Sequence, residues 1–121
     1  MISIYNAVLS FHERRAFRLM IEDLSMDVIG EADNWPDAIE GVATQNPDAV
    51  VVDWDLLVTA GKSLPQLRSF CPPQTILILV SSLSPTQQAT ISSGADIFIC
   101  RDDTPDRVAH CLQSISGYKE L

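Results

Sequence analysis

The chain has 121 residues, 46% of them apolar, and a formal net charge of -8. That length suits one domain spanning residues 1–121 around one core, and the composition excludes wholesale disorder. The acidic balance argues against a grip on nucleic acid or an anionic membrane through the overall field. No apolar run approaches the ~20 residues of a transmembrane helix, and the amino terminus lacks the basic-then-apolar pattern of a secretory signal. Cys71, Cys100 and Cys111 are widely spaced, odd in number and without a metal-ligand pattern. Reduced thiols in a cytoplasmic protein are the simplest account.

The first strand is predicted within Ile2–Leu9. Ser10-Phe11-His12-Glu13 has the form of a capping box, with Ser10 as cap and Glu13 reaching back. Ala16, Phe17, Met20, Ile21 and Leu24 follow at helical spacing as one apolar stripe. Arg14, Arg15 and Arg18 fall largely off that stripe and read as a solvated face rather than a site for an acidic partner. Met26–Ala32 reads as a second strand. Asn34-Trp35-Pro36-Asp37 opens a helix with proline in the first turn; Ile39, Val42 and Ala43 are expected inward, and Asn46-Pro47 stops it.

The central stretch is Ala49-Val50-Val51-Val52-Asp53. An apolar run without polar alternation reads as a strand buried on both faces, as in parallel sheets. Its last side chain, Asp53, reaches the carboxyl edge, where open α/β folds place their ligands. A turn-capping aspartate is the plainer alternative. Leu57–Gly61 then reads as a loop, and Leu64, Leu67 and Phe70 mark a short third helix ended by Pro72-Pro73. Thr75–Ser81 is a second doubly buried strand. Ser84-Pro85 opens a helix that Gly94 stops, and Asp96–Cys100 is the last strand. Thr104-Pro105 starts a final helix with Val108, Cys111, Leu112 and Ile115 inward and Gly117 at its end. Strand and helix alternate five times, which calls for a mostly parallel sheet with helices on both faces.

Several segments resemble the receiver domains of two-component response regulators, closest to the subgroup that usually carries a helix-turn-helix output domain. They are Gly30-Glu31-Ala32, Pro47–Leu56, Gly61 and Gly94–Val108, and the similarity runs from Ile2 to about Ile115. The resemblance implies a doubly wound, flavodoxin-like sheet of five parallel strands in order 2-1-3-4-5. It implies that Asp53 matches the phosphoryl acceptor, that Ser81 or Ser82 matches the hydroxyl contacting phosphate, and that Phe98 matches the switch aromatic. It also implies a sensor kinase or another protein as partner, and a DNA-binding domain outside this chain. Association is expected through the face of the helix opened by Ser84-Pro85, the last strand and the last helix, with the face of the first and last helices as alternative; a homodimer is one form of it.

The chain departs from that family in two places. Receivers end the first strand in two acidic residues that hold Mg²⁺; here Val8 and Leu9 occupy those positions, and sliding the register by one or two residues supplies no carboxylate. Receivers carry lysine where this chain has Arg101, and a planar guanidinium fork is no replica of a compact ammonium. An Arg101–Asp53 pair would occupy the site where phosphate binds. The expectation is therefore an atypical receiver, or pseudo-receiver: no enzyme, no cofactor, no metal, acting through protein–protein contact. The alternatives are a conventional receiver phosphorylated on Asp53 and a plain interaction module in which Asp53 is a relic. More remote is a haloacid-dehalogenase-type phosphatase using Asp53, Asp55 and the Asp102-Asp103 pair, against which no lysine lies between its second and fourth motifs.

Overall fold

Alternating short and β-branched apolar runs with capped helices produce a five-stranded sheet with every pairing parallel, in order β2-β1-β3-β4-β5. The computed structural model describes residues 1–82 and 94–120. Its strands are β1 (Ser3–Ala7), β2 (Asp27–Ala32), β3 (Ala49–Asp53), β4 (Ile76–Ser81) and β5 (Ile97–Cys100). Its helices are α1 (Phe11–Asp23), α2 (Trp35–Gln45), α3 (Trp54–Ala60), α4 (Leu64–Arg68) and α5 (Pro105–Glu120). The helix predicted from Ser84-Pro85 lies outside the described residues; Gly94, its predicted stop, has φ +124°.

Strand alternation divides the core. Ile4, Val8, Val51, Ile78, Val80 and Ile99 face one side, where Ile21 of α1 and Leu112 and Ile115 of α5 cover them. Tyr5, Ala7, Val50, Val52, Leu77 and Leu79 face the other and meet Trp35, Ala38 and Val42 of α2 with Leu56 and Leu57 of α3. Every residue of β3 and β4 is buried, the consequence of an apolar run covered by helices on both faces.

Four local expectations change. Residues 57–60 belong to α3 rather than a loop, because the Asp53 carboxylate caps that helix at its start and Gly61 closes it at φ 67°. Ala43 is exposed, since the inward arc of α2 is Trp35, Ala38, Gly41 and Val42, and one residue further turns about 100° away. Phe70 lies beyond α4 and is 42% exposed, edge-on to Trp35 at 6.3 Å between centroids. Gly117 does not end α5, which runs on to Glu120. Along α1, Ile21 is buried while Phe17, Met20 and Leu24 are half-buried and Ala16 is exposed. Ala16, Phe17 and Met20 border a cavity of about 210 Å³ between α1 and α5, whose walls also include Ile99 and Val108.

Tyr5 joins β1 to its neighbours at close quarters. Its ring fills the space that a Cβ at Gly30 or Gly41 would need, and its hydroxyl donates to Glu31 O at 3.4 Å and Asp37 O at 3.3 Å. Burial, then the charges of Asp37, Glu40 and Glu31, push the phenol pKa up. Gly41→Ala is expected to destabilise by about 1–3 kcal/mol through overpacking, although alanine is the better helix residue by about 1 kcal/mol. A urea midpoint that falls at unchanged slope checks this; an unchanged or raised midpoint would show that the ring has room to move.

Candidate functional site

Three parallel strands deliver their carboxyl ends to one place. Register pairs Ala7 with Val52, Asp53 with Val80, and Ser81 with Cys100, so the residues just after β1, at the end of β3 and just after β5 converge. Asp53 stands at the centre and is 1% exposed. A buried carboxylate needs compensating donors. The Asp53 Oδ1 accepts from the Asp55 backbone N–H at 3.0 Å, which caps α3, and Oδ2 accepts from the Leu9 backbone N–H at 3.2 Å. Arg101 Nη2 donates to Oδ1 as well, completing a charged pair.

Arg101 is held by backbone and side chain together. It follows β5 directly, and its backbone N–H donates to Ser81 O at 3.0 Å. The turn beyond it is fixed by Asp103, whose Oδ2 accepts from the Cys100 N–H at 3.1 Å. From there the guanidinium, 17% exposed, meets three carboxylates. Nη2 lies on Asp53, Nε donates to Glu13 Oε2 at 2.6 Å, and Nη1 lies 3.4 Å from Asp55 Oδ2. Burial by itself pulls the Arg101 pKa down, but hydrogen bonds to Asp53 and Glu13 outweigh it and the net shift is upward. The group is therefore fully charged at any working pH.

The other residues singled out from the sequence are distributed around this centre. Ser81 is buried at the end of β4, and Ser82 is exposed immediately beyond it. Val8 is buried in the core beneath α1, and the Leu9 side chain is 39% exposed while its N–H binds Asp53. Phe98 is half-buried and packs with the cluster on the α2 and α3 side. Asp102 is exposed, and Asp103 holds the turn. Glu13 was missed as a site residue. Its position three after Ser10 read as a capping box, and Ser10 Oγ does accept from the Glu13 N–H at 3.5 Å. The Glu13 carboxylate turns to Arg101 instead of returning to Ser10. Of the three arginines near the start of α1, Arg14 Nη1 donates to Val8 O at 2.9 Å, Arg18 pairs with Glu22 and Glu31, and Arg15 is exposed.

A divalent cation fits this arrangement poorly. Magnesium takes oxygen ligands around an open octahedron, whereas here a guanidinium already lies against Asp53 and apolar side chains stand at Val8 and Leu9. Among the described residues no group of three or more His, Cys, Asp or Glu side chains is arranged to hold a metal ion.

An open parallel α/β domain with a buried aspartate at the carboxyl edge of its central strand is the class this geometry defines. No protein-family model matches the chain. It is 35% identical over 92 residues to a protein-glutamate methylesterase/protein-glutamine glutaminase of Pseudoalteromonas atlantica, covering 74% of this chain and 24% of that protein. It is 28% identical to BvgA, a virulence-factor transcription regulator of Bordetella pertussis, over 95% of this chain and 58% of that protein. Its fold is similar to the response regulator domain of Thermotoga maritima CheB, with a TM-score of 0.77 and 20% identity over 100% of this chain and 98% of that one. The chain thus spans less than two thirds of either curated relative. It has the receiver fold of the response regulators.

The Asp53–Arg101 pair is open to a double-mutant cycle. Arg101→Met leaves a buried carboxylate without its counter-charge and is expected to cost about 3 kcal/mol, the low end for buried pairs because Arg101 is partly wetted. Asp53→Asn is expected to cost less. A coupling energy of about 1–3 kcal/mol in chemical denaturation would match contact between the two; a value near zero would mean they do not touch in solution.

Proposed function

We propose that this domain is a pseudo-receiver of two-component-type signalling, an interaction module that regulates an output without Mg²⁺-dependent phosphorylation. The observation that carries it is the Arg101 guanidinium lying on Asp53. On this reading Asp53 occupies the phosphoacceptor position, Ser81, Ser82 and Arg101 the phosphate pocket, and Phe98 the switch aromatic. Val8 and Leu9 are the positions of the lost acidic pair.

Charge explains why those losses matter. Two unit charges about 4 Å from an ion are each worth roughly 4 kcal/mol at an effective dielectric near 20, before desolvation. Losing even half of one such interaction weakens metal binding more than about tenfold. Phosphoryl transfer to a carboxylate relies on positioning and charge neutralisation. Arg101 neutralises Asp53 but cannot hold phosphate and attacking carboxylate together as a metal ion does.

Incubation with acetyl phosphate and Mg²⁺ followed by intact-mass measurement is expected to show no appreciable adduct. An adduct present in the parent and missing in Asp53→Asn would instead establish a conventional receiver. That second reading is favoured by the placement of Asp53 beside the end of β4, where Ser81 stands. The phosphatase reading has less support, because Asp103 is engaged in holding the turn after β5.

The partner is a protein: a sensor kinase, a second copy, or an output domain. The similarity to BvgA favours transcription as the output, with DNA contacted by a domain other than this one. No helix among the described residues is long and apolar enough to cross a membrane, in keeping with a cytoplasmic location. The preferred face combines β5, α5 and the segment from Ser84-Pro85, which lies outside the described residues; the α1–α5 face is the alternative. Arg107 stands exposed on α5. Charge reversal there is expected to weaken association in light scattering on the preferred face, and full retention would favour the other.

A further inference from the structure

Glu13 is the member of the site that neither the central strand nor the family resemblance assigns. It lies in the first turn of α1, and two contacts pin that turn against the sheet. Buried Asn6 of β1 donates from Nδ2 to Arg14 O at 2.8 Å, and Arg14 returns a bond to Val8 O at 2.9 Å. With residue 14 tied down, the neighbouring Glu13 carboxylate stands over the carboxyl edge.

Each nitrogen of the guanidinium then has its own carboxylate, but the three contacts are unequal. Asp55 is 60% exposed and 3.4 Å away, the kind of surface pair that contributes little. Asp53 fixes one corner of the fork. A second short, directional bond is needed to stop an arginine side chain from swinging about that corner. Glu13 provides it at 2.6 Å from Nε, with its side chain only 33% exposed.

We infer that Glu13 is the positioning residue that holds Arg101 across Asp53, so that cover of the aspartate depends on the seat of α1. This rests on the proposed reading that Arg101 fills the receiver site and names what regulates that filling. Displacing α1, or offering Glu13 a competing cation from a partner, releases one side of the fork and uncovers Asp53.

The experiment is carboxyl footprinting of the whole chain with a carbodiimide and an amine, with labels located by tandem mass spectrometry. Folding of every variant is checked by circular dichroism. Asp53 is expected to label weakly in the parent and severalfold more in Glu13→Ala; Glu13→Gln, which keeps an acceptor without the charge, should fall between. Asp55→Asn should leave Asp53 at the parent level. The Arg101 Nε–H resonance should lose its protection from exchange in Glu13→Ala, a change that general loosening of α1 without a bond to Arg101 would not single out. Arg101→Gln, or Arg101→Lys should the first not fold, tests the underlying reading separately. If Arg101 variants uncover Asp53 while Glu13→Ala does not, Glu13 has no positioning role and the occlusion by Arg101 stands. Asp53 equally labelled in parent and Arg101 variants would overturn both.

Discussion

A carboxylate 1% exposed at the end of the central strand is the constraint on which the arrangement around it depends. Removing such a charge from water costs several kcal/mol unless donors and a counter-charge replace the solvent. Here two backbone N–H groups and one guanidinium do so, and they come from three separate parts of the chain: Leu9 after β1, Asp55 in α3, and Arg101 after β5. Each donor is correctly placed only if its strand ends at the right height. The register of the sheet and the solvation of Asp53 are therefore one requirement seen from two sides.

That requirement also explains the local structure next to the site. The same aspartate that closes β3 opens α3, because its Oδ1 satisfies a backbone N–H that a helix start leaves unpaired. Leu56 and Leu57 follow at once into the apolar layer shared with α2. Strand, cap and helix are continuous, which leaves no loop between the buried carboxylate and the packing behind it. Asp53 cannot shift without disturbing the first turn of α3.

Much of this was legible in the sequence. Two uninterrupted apolar runs, Ala49–Val52 and Ile76–Val80, read as strands covered on both faces, the alternation of strands with capped helices called for a parallel sheet, and the family resemblance implied its order. Asp53 stood out because a charge directly after four buried residues needs a special reason. Arg101 stood out because it falls where the resembled receivers carry lysine. What stayed hidden was pairwise geometry. Glu13 matched a local capping pattern, and a short-range pattern contains nothing about a guanidinium 88 positions away. Residues 57–60, the later half of α3, read as a loop because a helix of only seven residues closed by Gly61 is too short to show a helical period. Ala43 and Phe70 failed for another reason: both are apolar, but the inward arc of α2 turns past one and α4 stops before the other.

On the proposed reading, a side chain in place of a metal ion changes what kind of signal the site can receive. An ion exchanges with solvent, so its occupancy follows concentration and the charge beside the aspartate can be added or withdrawn. Arg101 is tethered to β5, remains charged throughout the working pH range, and is bound on both flanks. On the proposed reading no change in metal concentration moves it. A ligand shifts an equilibrium only by the difference in its affinity for the two states, so a partner must contact a part that moves with the guanidinium. Two such parts exist among the described residues: the turn after β5, braced by Asp103, and the first turn of α1, which carries Glu13. The bracing of the β5 turn is local and covalently continuous with the strand, whereas Glu13 reaches Arg101 through the seat of α1 on the sheet, set by packing and by the Asn6–Arg14 and Arg14–Val8 bonds. The helix is half-buried along Phe17 and Met20 above the cavity it shares with α5 and the end of β5, whereas β5 is also tied to β4 by a backbone ladder. Mechanical coupling through α1 is therefore the softer route to Asp53.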